Sequence, residues 1–256
     1  MTRLSIIIIT FNEAHNIAQC IASAGLADEV IVLDSGSTDG TQEIAQSLGA
    51  SVSVSDGWPG FGPQKNRALA LASCDWVLSL DADERLTPEL SDKIRAAIAA
   101  PGFDAYTVNR RSNFCGRYMR YSGWFPDPSL RLFRRGSARF SDDLVHERVI
   151  ARGAVGRIDG ELLHESMPSL ESVLDKLNRY SSAGAQSLLN KGAQGSLVKA
   201  VGHGLWAFLR TYFLRLGFLD GRWGFLLAVS NAEGTYYRYL KLWLMQQPGA
   251  GGPPQP

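Results

Sequence analysis

Neither common glycine-rich phosphate signature occurs in this sequence: no Gly-x-Gly-x-x-Gly follows the first apolar run, and Gly-Lys-Ser/Thr is found nowhere. The dinucleotide and P-loop readings lose their main support, so any nucleotide must be held by other means. Cysteine is scarce. Cys20, Cys74 and Cys115 are odd in number and lack the short pair spacing of a zinc or redox site, which points to a reduced compartment and idle thiols. Charge of one sign is missing as well, since 26 Lys and Arg against 25 Asp and Glu leave a net charge of +1, and nothing in that balance asks for nucleic acid. Runs of ~18 apolar residues are absent too, because Arg210, Arg215, Asp220 and Arg222 interrupt the apolar C-terminal third, which argues against a spanning helix but leaves contact with a membrane face open. The early run Leu4 to Phe11 leads into Asn12-Glu13 without a small-residue cleavage site, so the expectation is an intracellular protein. No repeat of solenoid period is visible.

What the 256 residues do contain is a long alternation of strand-like and helix-like segments, with 45% hydrophobic residues to build a core. Leu4–Thr10 is a continuous β-branched run, predicted as a buried strand, and Glu13–Ala24 as the helix after it. Glu29–Asp34, Ser51–Ser55 and Trp76–Leu80 are predicted strands, with helices at Thr41–Leu48 and Gln64–Leu71 between them. This pattern implies an α/β layer architecture whose ligands sit at the carboxyl ends of the strands. Thr87-Pro88-Glu89 supplies an N-cap, a first-turn proline and an acidic residue, predicting a helix over Pro88–Ala99. Ala105–Arg110 reads as a further strand. Residues 113–164 read as hairpins and loops over one sheet edge. Beyond Pro168 the spacing predicts helices at Leu170–Leu189, Leu197–Leu216 and Trp223–Met245, then a disordered Gly/Pro tail over 248–256. The expected organisation is a catalytic domain over 1–168, a helical region over 169–247 that is open to membrane association, and the tail.

Three carboxylates fall within four residues where the strand Trp76 to Leu80 stops, at Asp81, Asp83 and Glu84. Carboxylates at i and i+2 at such a strand end can hold a hard divalent cation against phosphate oxygens, which suits Mg²⁺ or Mn²⁺ better than zinc. A solvated turn leading to the next helix is the plainer alternative. The first and second strands end in polar clusters too, Thr10-Phe11-Asn12-Glu13 and Asp34-Ser35-Gly36-Ser37-Thr38-Asp39-Gly40-Thr41. Asp34 can accept from a base N–H or ribose hydroxyl, or it can serve as a cap.

Taken together, Ser5–Glu13, Val32–Thr41, Lys65-Asn66-Arg67-Ala68 and Leu80–Glu84 resemble, in order, the family 2 glycosyltransferases. The resemblance covers residues 4–84, and more loosely runs to about residue 165. It implies a GT-A fold, in which a mixed sheet is flanked by helices, and an inverting transfer of a sugar from a nucleotide-sugar donor. On that resemblance a uridine-type donor is read by Thr10, Glu13 and Asp34, with Phe11, Asn12, Ser35 and Gly36 around them. Asp83 holds Mg²⁺ or Mn²⁺ against the diphosphate, Asp81 lies nearer the ribose, and Ala82 lies between. His164 is placed as a late ligand near the ion, or else as a structural hydrogen-bonding residue. Lys65 and Arg67 are placed for the donor or on a solvated face.

Val145-His146-Glu147-Arg148 and the segment Trp124 to Arg134 resemble a subgroup of bacterial lipopolysaccharide inner-core glucosyltransferases. Inversion by direct displacement needs one carboxylate to take the acceptor proton. Glu147 is the expected base, with Asp143 next, ahead of Asp127 and Asp142, and a salt bridge is the competing role of Glu147. Trp124, Asp127, Arg131 and His146 are expected on the acceptor side, where aromatic faces suit sugar rings and Arg131 or Arg134 can pair with phosphate. No Gln-x-x-Arg-Trp motif of the processive synthases occurs, which implies one sugar per acceptor, and the subgroup resemblance implies a hexose, glucose favoured. The implied acceptor is a lipid-linked saccharide at the inner face of the cytoplasmic membrane. Nucleotidyl transfer or nucleotide-sugar diphosphate hydrolysis on the same fold is the alternative. Leu205, Phe208, Leu209, Tyr212, Phe213 and Leu216, at helical spacing among arginines, are expected either to pack on the protein or to meet lipid.

Overall fold

A computed structural model of the chain describes residues 2–142 and 147–247. They divide into two compact units: residues 2–111 with 127–164, and residues 112–126 with 165–247. The second unit thus takes in residues 112–126, which differs from a single cut near residue 168.

In the first unit, strands β1 (Leu4–Thr10), β2 (Glu29–Asp34), β3 (Ser51–Val54) and β4 (Trp76–Asp81) alternate with helices α1 (Ala14–Ser23), α2 (Thr41–Ser47) and α3 (Phe61–Leu71). β5 (Glu84–Leu86), α4 (Pro88–Ala99) and β6 (Ala105–Phe114) follow. Then come β7 (Arg117–Tyr118), β8 (Asp127–Arg134), β9 (Ala138–Phe140), β10 (Val149–Ala151) and β11 (Val155–Met167). The main sheet runs β3-β2-β1-β4-β8-β6-β11-β5, and β7 pairs with β6. β1 pairs in parallel with β2 and β4, while β8 joins β4 antiparallel, so the sheet is mixed.

β1 carries the apolar run Ile6 to Ile9 because both its faces are covered. Leu4, Ile6 and Ile8 pack with Ile17 and Ile21 of α1 and with Leu90 and Ile94 of α4. Ile7 packs on the other face with Val77, Ala68 of α3, Phe133 and Phe140. The α3 face needs a close approach. A Cβ on Gly62 would lie 1.8 Å from the Ser141 carbonyl oxygen, so only glycine fits there.

The stretch 113–164, expected as edge loops, contains strands of the sheet interior: β8 lies between β4 and β6, and β11 between β6 and β5. Their apolar alternation is broken by residues that face ionic partners, Asp127 and Arg131 in β8 and Glu161 in β11, and this hid them from a pattern search.

The second unit is built on α5 (Leu170–Asn190), α6 (Leu197–Leu209) and α7 (Arg222–Met245). Phe114, Met119, Val173 and Leu227 form its core, with Trp124 and Trp223 packed against them. The Asp220 carboxylate is buried and accepts from the Arg120 and Tyr121 amides at 3.2 and 2.9 Å. The expected helix Leu197–Leu216 instead gives way to a π-helical turn, Arg210–Leu214, and stops at Leu216 with φ +57°. Gly217 sets that stop, since a Cβ there would meet the Thr211 carbonyl oxygen at 2.7 Å.

Candidate active site

Register places the polar residues. Thr10 pairs with Asp34 on one side of β1, and Ile9 pairs with Asp81 on the other, so the carboxylates that end β2 and β4 flank the end of β1. His164 is aligned with Glu84 where β11 pairs with β5, which brings its Nε2 to 3.2 Å from Asp83 Oδ2. The three elements thus converge on the turn Asp81 to Glu84.

Asp34 is held from within. Its Oδ1 accepts from the Gly36 and Ser37 amides and Gln42 Nε2, and its Oδ2 accepts from the Thr10 and Ser37 hydroxyls, at 2.6–2.9 Å. Burial works against its ionised form, but the bonds from Ser37, Thr10 and Gly36 more than offset this and hold the carboxyl below its ordinary value. Five donors fill the acceptor capacity of a carboxylate. Through these bonds Asp34 folds the loop around the site. The loop is tied further by the Asn12 amide to Ser37 Oγ and by the Thr38 amide to Asn12 Oδ1. Asn12 and Gly36 take φ of +55° and +91°. Phe11 stands 57% exposed beside them. Ser35 Oγ accepts from Gln64 of α3.

Glu13 lies close enough to Asp83 to feel its charge. Burial, and then Asp83, push its carboxyl above the ordinary value, against a lowering bond from Asn16. Arg85 braces the turn after β4, donating to the carbonyls of Ala82 and Glu84 and to Asn16 of α1.

Under that turn lies a buried network of charge. Lys65 of α3, 4% exposed, bridges Asp81 Oδ1 at 2.8 Å and Glu147 Oε1 at 2.9 Å. Arg131 of β8 binds Asp81 Oδ2 at 2.8 Å and also bonds Glu84. Glu84 in turn accepts the Asp81 amide. Burial opposes ionisation of Asp81, but Arg131 and Lys65 hold it well below the ordinary carboxylate range. Burial and the neighbouring Asp81 push Glu84 upward despite Arg131.

The same arrangement shows where the other expected site residues lie. Arg131, expected on the acceptor side, binds the strand-end carboxylates. Arg67 stands two residues from Lys65, on another face of the helix. It donates to the Asp56 carbonyl and to Gln64, away from Asp81. Asp127 is paired with Arg110 at 2.9 Å. Trp124 packs edge-on against Phe114 in the core of the second unit. Asp143 and His146, together with the tail 248–256, lie outside the described residues.

Glu84 and Arg85 were missed as site residues because a run of charge after a strand reads as a solvated turn. One signal was available. Arg131 stands between Leu130 and Leu132 in a strand, and a cation there demands a buried partner.

Among the described residues no group of three or more His, Cys, Asp or Glu side chains is placed to hold a metal ion. The protein offers a pair, one carboxylate and one imidazole, at Asp83 and His164. That pair fits a hard cation shared with phosphate oxygens better than a cage made by protein alone.

Comparison with known proteins agrees with this geometry. Residues 5–158 match the sequence model described as "Glycosyl transferase family 2". An uncharacterized glycosyltransferase of Rickettsia typhi is 34% identical over 255 residues, which is 94% of this chain and 87% of that protein. The lipopolysaccharide core biosynthesis glycosyltransferase LpsC of Rhizobium meliloti is 31% identical over 94% of this chain and 92% of its own length. TarS of S. aureus, a solved structure, superposes with a TM-score of 0.51 at 19% identity, covering 73% of this chain and 40% of TarS. That likeness concerns the fold alone, the GT-A arrangement of a mixed sheet flanked by helices.

Proposed function

As this chain belongs to glycosyl transferase family 2 and is a glycosyltransferase, we propose that it moves one hexose, glucose favoured, from a UDP-sugar to a lipid-linked saccharide with inversion. The proposed setting is the inner face of the cytoplasmic membrane, with lipopolysaccharide inner core as the acceptor class. The name carried by the LpsC relative supports that acceptor.

The observation that carries the reading is the pairing of Asp83 with His164 at one end of the Asp81 turn, and of Lys65 with Glu147 at the other. Asp83 and His164 would hold Mg²⁺ or Mn²⁺, which when bound would offset charge on the departing diphosphate. The other steps belong to the chain's own groups. The Glu147 carboxylate, held by the Lys65 ammonium, takes the proton of the acceptor hydroxyl. As that proton leaves, the hydroxyl oxygen forms a bond to the anomeric carbon, and the bond from that carbon to the diphosphate oxygen breaks on the opposite face. The configuration inverts.

Lys65 serves both ends, because one ammonium contacts the strand-end Asp81 and the base. Arg131 neutralises Asp81 from the other side, so Asp83 meets the donor without a second full negative charge behind it. Phe11, exposed at the end of β1, presents a ring face on which a base can stack.

The test is a panel of nucleotide sugars with Mn²⁺ and a core-saccharide acceptor, read by product analysis. Release of a nucleoside diphosphate with one sugar added in the inverted configuration is the expected result. Release of a nucleoside monophosphate or pyrophosphate would assign attack at phosphorus instead.

A further inference from the structure

α6 is inside out for a helix of a water-soluble surface. The face it buries carries small residues: Ala200 and Gly204, with Ala207 and Thr211 one and two turns on. A Cβ on Gly204 would stand 3.1 Å from Tyr236 Cβ and 3.3 Å from the Ala232 carbonyl, so α7 comes close enough to require glycine. The face it exposes carries the large apolar ones. Val198 is 83% exposed, Val201 and Leu205 59% each, and they recur at i, i+3 and i+7 with Leu209 completing the stripe. The turn after the helix adds exposed Phe213 and Leu214. A contiguous apolar face of this kind marks a surface with a partner.

The expected stripe included Phe208 and Tyr212, but these pack against each other and against Phe225. The surface-facing set is therefore different from the one that helical spacing alone selected.

Charge identifies the occupant. From Lys176 to Gln247 the chain carries nine lysines and arginines against two carboxylates. Of those two, Asp220 is buried against backbone amides, which leaves Glu233. Lys199 and Arg210 flank the exposed stripe, and Arg215 and Arg222 follow it. Apolar side chains rimmed by cations match the boundary of an anionic bilayer, where acyl chains lie under phosphate headgroups. Geometry favours lying on that boundary. α6 has 13 residues, about 20 Å of helix against about 30 Å of hydrocarbon, and among the described residues no helix is long and apolar enough to cross a membrane.

We propose that the Val198–Val201–Leu205 face of α6, with Lys199 and Arg210 at its margin, inserts into the headgroup region of an anionic membrane. The inference deepens the membrane element of the proposed function and rests on it. Vesicle binding is read without donor or acceptor, so the two can fail separately.

The experiment is co-sedimentation of the full chain with vesicles of phosphatidylglycerol and phosphatidylethanolamine, and with vesicles of phosphatidylcholine. The wild type should bind the anionic vesicles at least about tenfold more strongly than the zwitterionic ones, and lose that binding in high salt. Val201→Asp/Leu205→Asp should lower binding to anionic vesicles at least about tenfold with unchanged helix content, because both positions are exposed. Should that variant misfold, Val201→Ala/Leu205→Ala carries the same prediction with a smaller drop. Equal binding of wild type and folded variant overturns the proposal, as does equal binding to the two vesicle types. A concentration-dependent dimer that the variant abolishes, without vesicle binding, assigns the face to a second copy of the chain and overturns it equally.

Discussion

Helices α3 and α6 both break the rule that apolar residues go inside and charged ones outside, but in opposite senses. α3 turns Gln64 and Lys65 inward, where Lys65 meets two carboxylates, and leaves the Phe61 ring at the surface. α6 turns Ala200 and Gly204 inward and leaves valines and leucines outside. A buried ammonium is tolerated only because Asp81 and Glu147 compensate its lost hydration, so the inversion in α3 is explained within the molecule. The inversion in α6 has no internal compensation, and its explanation lies in what the protein touches. Local rules fail where function is placed, and the location of the compensating group separates chemistry from docking.

The largest effect should come from the group that α3 helps to neutralise around. Asp83→Asn is expected to lower kcat/KM by about 10³-fold or more with little change in Tm, since the side chain sits at the rim of the site. Steady-state transfer assays with Mn²⁺ and a thermal melt check both halves. Glu147→Gln should follow, with a fall in kcat of about 10² to 10⁴-fold and a smaller change in donor KM. A KM effect without a kcat effect would return Glu147 to a purely structural salt bridge with Lys65.

The contrast within α3 is sharper still. Lys65→Met removes one of the two cations on Asp81, together with the partner of Glu147, and should cost about 3–5 kcal/mol of stability in denaturant unfolding, with activity lost. Arg67→Ala, two residues away on a solvated face, should stay within about 0.5 kcal/mol and leave transfer nearly intact. Comparable losses from both variants would remove the distinction between the inward and outward faces.

Acid should act through Asp34. Its folded-state value lies below the ordinary one, so its contribution is present above about pH 4 and is lost as pH falls through the folded value. Tm is expected to drop on acidification below about pH 4, and Asp34→Asn, less stable at neutral pH, should drop less over that window.

The parallel half of the sheet was legible in the sequence because β1, β2 and β4 are mostly apolar and end in polar clusters. The Asp83 turn was legible for the same reason. What could not be read were pairings across the chain: that Arg131 would meet Asp81 from 50 residues away, or that Asp34 would spend both oxygens on its own loop. Period-2 patterning vanished in β8 and β11 because their polar residues face ionic partners inside the sheet. For α6, helical spacing selected Leu205 and Leu209 but neither Val198 nor Val201, nor which residues α7 would cover, which the close approach at Gly204 decides.

The proposed transfer requires Asp83 and His164 to grip a divalent cation together with the donor diphosphate. Calorimetric titration of UDP, with and without Mn²⁺, tests this on the wild type and on Asp83→Asn. The expected result is a gain in UDP affinity of at least about tenfold on adding Mn²⁺ to the wild type, and no gain in the variant. An equal gain in both proteins, or none in either, would contradict it.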